Sequence, residues 1–219
     1  MAETRRIKRT SPLPKLVAAF AALLLLCFAL IACGGEAEGP AYQDGDLIFQ
    51  TSTSGQSKAI RLATGSEWTH VGVIFMQGGR PMVFEAVQPV KTTPLDKWIR
   101  RGVDQRYVVK RLRDRSLLQS IATRESMLAW GKGQEGKSYD MSFAWSDHEM
   151  YCSELVWKLY KEAVGIELAP LRTVANFSLK SPEVQLQLRK RWPHGIPPQE
   201  PMIAPVGLFE SPLLVEVPR

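Results

Sequence analysis

Tyr151-Cys152-Ser153-Glu154-Leu155-Val156-Trp157-Lys158-Leu159-Tyr160-Lys161-Glu162-Ala163-Val164-Gly165 is the stretch on which the fold turns. Leu155, Val156, Leu159 and Ala163 recur at helical spacing, so 152–164 predicts an amphipathic helix that Gly165 closes. Cys152 falls in its first turn, where unpaired backbone N–H groups and the positive end of the helix dipole favour a thiolate. The same N–H groups can hold the oxyanion of a tetrahedral intermediate. A cysteine placed for packing belongs on the apolar stripe, at a position such as Leu155 or Leu159. The stretch therefore reads as a helix that presents a nucleophile.

A thiol nucleophile needs a base, and the chain has three histidines, His70, His148 and His194. His148 lies in the loop that enters the helix, and His194 sits in a Pro/Gly-rich surface loop. His70 opens a β-rich run to Met76, where a scaffold can hold its ring rigidly. A second run, Pro81 to Val87, follows Gln77-Gly78-Gly79-Arg80, which is a hairpin signal. Symmetric pairing about the two glycines sets Gln77 opposite Arg80, Glu85 opposite Gly72 and Val87 opposite His70. His70 and Glu85 then lie diagonally on one face, and the carboxylate can orient the imidazole as the third member of a Cys-His-acid set. A slip of one residue would separate them. The apolar neighbours Val83, Phe84, Ala86 and Val87 argue for a covered strand, where an idle charge is costly. Asp140 and Asp147 are the alternative acids. Trp68 shares the His70 face by strand parity and is a candidate wall for an acyl pocket, with a plain core role as its alternative.

Around these runs, Asp46 to Thr51 predicts a strand. Lys58 to Ala63 predicts one or two helical turns ended by Gly65-Ser66, and Tyr107 to Leu112 a further strand. Leu117, Leu118, Ile121 and Leu128 give helical spacing up to a stop at Gly131–Gly133. Ser181-Pro182-Glu183 opens a helix to about Arg191. The proline-rich end from Pro193 reads as extended chain, with Leu213 to Val217 as an edge strand. The fold class is α+β, a central antiparallel sheet packed against helices.

The N-terminus is an address. Arg5, Arg6, Lys8, Arg9 and Lys15 precede an uncharged apolar run, Leu16 to Ile31, which is short for a membrane span. Leu30-Ile31-Ala32-Cys33 resembles a bacterial lipobox, which implies cleavage after Ala32 and a diacylglyceryl group on Cys33. An uncleaved anchor helix is the alternative. Either reading ties the remainder to a membrane outside the cytoplasm. Gly34 after the cysteine resembles lipoproteins sent to an outer membrane, facing the periplasm. The expected organisation is a signal peptide at 1–32, a lipidated tether at 33–43 and one hydrolase domain at 44–219. The leader carries five of the 28 Lys+Arg and one of the 22 Asp+Glu, so the rest holds 23 basic against 21 acidic residues. The basicity is mostly targeting, and a nucleic-acid partner is not expected. With Cys27 removed and Cys33 lipidated, Cys152 stands alone in a compartment that favours disulfides. A lone thiol there is buried and inert, or chemically used.

At Asp44-Gly45-Asp46-Leu47-Ile48-Phe49, Trp68-Thr69-His70-Val71-Gly72-Val73, Phe84-Glu85-Ala86, Ser138-Tyr139-Asp140 and Tyr151-Cys152-Ser153-Glu154-Leu155-Val156, the chain resembles the circularly permuted papain-like amidases of the NlpC-type superfamily, especially the YiiX-like envelope proteins. The resemblance implies a papain-like fold in which the sheet carries the histidine and acid and a helix presents the cysteine. Here His70 and Glu85 precede Cys152, the permuted order. It also implies hydrolysis or transfer of amide or ester acyl groups, with lipid-like substrates suspected in several permuted members. Scattered histidines and one free cysteine show no ligand spacing, so neither metal nor cofactor is expected. A peptidoglycan or peptide endopeptidase, and a lipid- or peptide-binding module without turnover, are the rival functions.

Overall fold

The computed structural model describes residues 42–195 and 197–218. The leader, Cys33 and tether residues 33–41 lie outside them. Among the described residues no helix is long and apolar enough to cross a membrane.

Six strands form the central sheet: β1 (Asp46–Ser52), β2 (His70–Gln77), β3 (Arg80–Glu85), β4 (Lys91–Pro94), β5 (Gly102–Leu112) and β8 (Leu214–Glu216). Their order is β4-β3-β2-β1-β5-β8, and each neighbouring pair is antiparallel. The helices are α1 (Ser57–Thr64), the short α2 (Leu95–Ile99), α3 (Ile121–Gln134), α4 (Cys152–Val164), α5 (Pro182–Arg191) and the short α6 (Pro205–Phe209). A two-stranded ribbon of β6 (Arg172–Thr173) and β7 (Pro201–Met202) stands apart from the sheet.

Strand alternation distributes the core. Leu47, Phe49, Val71, Val73 and Phe75 point to the face covered by α4, where Leu155, Leu159 and Tyr160 meet them. Ile48, Ile74, Val83 and Val109 point the other way, against Leu95 and Trp98 of α2. A third cluster packs Ala59 of α1 against Val184 and Leu188 of α5. Asp46, fully buried, accepts two bonds from Arg111, Nε to Oδ1 and Nη2 to Oδ2, both at 2.7 Å. This bidentate pair ties β1 to β5.

The hairpin pairs in the expected register, from Gln77 opposite Arg80 to Val73 opposite Phe84. It stops short of Val87, however. β3 ends at Glu85, so the expected pairing of Val87 with His70 is not made, and Ala86 and Val87 line a cleft instead. Helix α3 does not stop at Gly131–Gly133 but runs on to Gln134. Gly131 lies inside it, packed on Phe84, where a Cβ would make ordinary contact with the ring at 3.4 Å. β5 starts at Gly102, five residues before the expected Tyr107. Helix α4 has the expected bounds, with Gly165 left-handed as its C-cap, but it is buried nearly all round, Cys152 to Tyr160 without exception.

Candidate active site

Helix α4 is positioned from its first residue. Tyr151 caps it in extended conformation, and Glu154 reaches back so that its Oε2 accepts the Tyr151 N–H at 3.3 Å. The segment after β7 clamps the same turn. The Ile203 N–H donates to the Tyr151 hydroxyl at 3.2 Å, and the Ser153 hydroxyl donates to the Ile203 carbonyl at 2.7 Å. Cys152 is therefore fixed at a buried helix N-terminus, with its thiol accepting from the backbone N–H groups of Ser153 and Val71.

Val71 belongs to β2, and one residue earlier that strand begins with His70. The His70 and Cys152 side chains are hydrogen-bonded to each other. The other ring nitrogen, Nε2, is 2.7 Å from Glu85 Oε2, which leaves Nδ1 to the thiol. Glu85 is fully buried. Its Oε1 accepts from the Thr93 hydroxyl at 2.6 Å and from the Arg101 guanidinium. Trp98 stacks on the imidazole, centroids 5.7 Å apart. The diagonal approach of Glu85 to His70 depends on Gly72 between them. A Cβ at Gly72 would stand 2.5 Å from Val83 Cγ1 and 3.0 Å from the Phe84 carbonyl oxygen.

The electrostatics follow from these contacts. Burial alone would push His70 down, but the hydrogen bonds to Cys152 and Glu85 and their charges outweigh it and raise the ring to about 9. Burial would push the Cys152 thiol up. The His70 hydrogen bond and charge, with the Val71 and Ser153 N–H groups, bring it below the ordinary range. Glu85 is likewise lowered, burial being overcome by His70, Thr93 and Arg101. Thiol, imidazole and carboxylate thus form a line that favours thiolate and imidazolium together.

The other expected candidates fall elsewhere. His148 and His194 are exposed. Asp140 is buried but accepts from Ser142, and Asp147 is on the surface, paired with Lys158. Trp68 precedes β2, so strand parity does not reach it; it stacks on Phe209 in the core, centroids 5.0 Å apart. Tyr139, in the Ser138-Tyr139-Asp140 motif but not among the expected site residues, is half-buried, and its hydroxyl interacts with the Cys152 thiol; burial and the thiol's charge push that hydroxyl up. Its loop has no periodicity that would have placed it there.

Two cavities meet at Cys152 and His70. The thiol side opens into a groove of about 90 Å³ lined by apolar groups such as Ala59, Phe143, Val174, Val184, Leu188 and Ile203. The imidazole side opens into a larger cleft of about 510 Å³ lined by Gln50, Ser52, Thr53, Ser54, Gln56 and Gln88 among others. Tyr139 and Ile60 border both. The first is almost wholly apolar; the second carries more polar groups, although Ile60, Ala86, Val87 and Met141 line it too.

Residues 41–217 match the family model described as "Permuted papain-like amidase enzyme, YaeF/YiiX, C92 family". The uncharacterized protein YiiX of Escherichia coli K12 is 40% identical over 196 residues, covering 90% of this chain and 95% of that protein. A crystal structure described as metalloprotein yiiX from Escherichia coli O157:H7 has a TM-score of 0.76 at 42% identity, covering 81% of this chain and 97% of that chain. The chain belongs to the permuted papain-like amidase family.

Proposed function

We propose, from membership of that family, that the chain is a thiol hydrolase or acyltransferase acting on amide or ester acyl groups through a Cys152 acyl-enzyme. The observation that carries this is the buried line from Cys152 through His70 to Glu85. The Cys152 thiolate attacks the carbonyl carbon. The oxyanion that forms takes hydrogen bonds from the Cys152 backbone N–H and the Tyr139 hydroxyl. The C–N or C–O bond then breaks, and the imidazolium N–H of His70 protonates the departing amine or alkoxide. His70 next takes a proton from water or an acceptor alcohol, which attacks the thioester and restores the thiolate. Glu85 orients the ring and offsets its charge throughout.

The apolar groove beside the thiol suits an aliphatic acyl chain, which favours a lipid-like substrate over a peptidoglycan peptide. Lipidation of Cys33 would hold the domain on an envelope membrane, facing such substrates from the periplasmic side. Cys33→Ser should then leave an unprocessed precursor that takes up no labelled palmitate.

The E. coli O157:H7 protein is described as a metalloprotein. In this chain no three His, Cys, Asp or Glu side chains converge as a metal site needs, among the described residues, and Nε2 of His70 is occupied by Glu85. The donors do not fit a metal, and no step runs through one.

Mass spectrometry after mixing with a long-chain acyl p-nitrophenyl ester tests the reading. The expected result is one acyl group on Cys152, absent from Cys152→Ala. Acylation elsewhere, or none with any acyl ester or amide, contradicts it.

A further inference from the structure

His70 returns its proton to the group that leaves, so on the reading above the leaving group departs through the hydrogen-bonding cleft on the imidazole side. We propose that Gln50 is the specificity-determining residue of that cleft, its amide binding a leaving group that is uncharged and carries hydroxyl or amide groups.

Gln50 pairs directly across from His70, on neighbouring strands β1 and β2. Cross-strand partners share a face, with Cβ atoms about 4.5–5.5 Å apart. A group leaving from the His70 imidazole therefore passes beside this amide. Gln50 lines the cleft, yet it is only 1% exposed, and its Oε1 is buried with no hydrogen-bond partner. An unpaired buried amide oxygen is costly to keep. Ile48 on the same strand and Ile74 on its neighbour β2 share this face as ordinary apolar packing, so a leucine or methionine here would serve the core better.

The backbone nearby makes room for the amide. Gly102 leaves space at its tip: a Cβ there would stand 2.4 Å from Gln50 Oε1 and push the amide aside. The pairing of β1 with β5 is also irregular between Gln50 and Ser52, next to this amide.

The remaining lining gives the ligand class. Among the described residues no Asp or Glu lines the cleft, and its two cationic side chains, Arg101 and the His70 imidazolium, are both already paired with Glu85. With the Ser52, Thr53 and Ser54 hydroxyls around it, the cleft suits a neutral group with several hydrogen-bonding sites. A glutamine amide offers such a group both a donor and an acceptor.

Two esters of one fatty acid separate this proposal from the hydrolase reading: a monoacylglycerol, whose leaving group is a polyol, and the p-nitrophenyl ester, whose leaving group has neither hydroxyl nor amide. The full-length protein and Gln50→Met, which keeps the side-chain volume, are assayed on both. The expected result is that the ratio of kcat/KM for the glycerol ester to that for the p-nitrophenyl ester falls about 3- to 10-fold in Gln50→Met, the worth of one neutral hydrogen bond. The pH profile of Cys152 alkylation in the variant reports whether the Cys152–His70 pair is intact. Equal loss on both esters, no change on either, or a wild type that turns over the p-nitrophenyl ester but not the glycerol ester overturns the role of Gln50 and leaves the hydrolase standing. Absence of Cys152-dependent turnover on both esters overturns the hydrolase reading itself.

Discussion

Glu85 at the end of β3 and Glu154 in the first turn of α4 are both fully buried, and burial drives both carboxyl groups towards the neutral form. They end on opposite sides of their ordinary value. Glu85 is lowered, because His70 holds one oxygen while Thr93 and Arg101 hold the other. Glu154 is raised to about 7. Its Lys158 partner, 2.9 Å away, is shared with Asp147 and the Ser146 carbonyl, and the nearby Asp140 charge repels it. At Glu85 the imidazole, hydroxyl and guanidinium together outweigh burial, whereas at Glu154 a shared lysine and one long N–H bond from Tyr151 do not. This chain concentrates its donors behind the imidazole.

Substitutions test that contrast. Removal of the ring has the largest expected effect: His70→Ala lowers turnover of an acyl ester about 10²- to 10⁴-fold. Adding Cys152→Ala should cost little more than Cys152→Ala alone, since the two act as one unit. Glu85→Gln comes next. The amide still accepts from the ring but does not offset the imidazolium charge, so kcat falls about 10- to 100-fold, the worth of a hydrogen bond to a charged group. An unchanged rate would make Glu85 a structural residue. Gly72→Ala should cost about 1–3 kcal/mol of stability by urea unfolding, because the new methyl meets Val83 and the Phe84 carbonyl. A neutral effect would mean that the hairpin yields without disturbing Glu85.

Glu154→Gln is the smallest. It should leave turnover unchanged while altering the pH dependence of stability. With its carboxyl raised from 4.5 to about 7, the folded chain holds a proton that the unfolded chain has released within that window, so stability falls as pH rises through it. The variant should flatten that fall in thermal unfolding between those two pH values. A slope identical to wild type would mean that Lys158 keeps Glu154 ionised throughout.

The hairpin and helix α4 were legible because each rests on local chemistry. Gly78-Gly79 set the register that places Glu85 near His70, and Gly165 after an apolar stripe marks the helix end. What escaped was tertiary. Lys91 to Ile99 forms β4 and α2 without alternation or long periodicity, although Thr93 and Trp98 both reach the His70–Glu85 pair. Gly131 looked like a helix stop and is instead a contact with Phe84. Tyr139 lies in an irregular loop between α3 and α4, and only the folded chain brings its hydroxyl to the thiol. Trp68 shows the opposite error, a strand parity extended past the strand's first residue.

On the proposed mechanism Cys152 and His70 share one proton as a thiolate–imidazolium pair. The rate of iodoacetamide alkylation of Cys152 as a function of pH tests it most directly. In the wild type, alkylation should stay fast well below the ~8.5 of a free cysteine. In His70→Ala the profile should move up to that of an ordinary thiol, while His148→Ala and His194→Ala leave it in place. A profile indifferent to His70, or a Cys152 that reacts only after the protein unfolds, would contradict the claim.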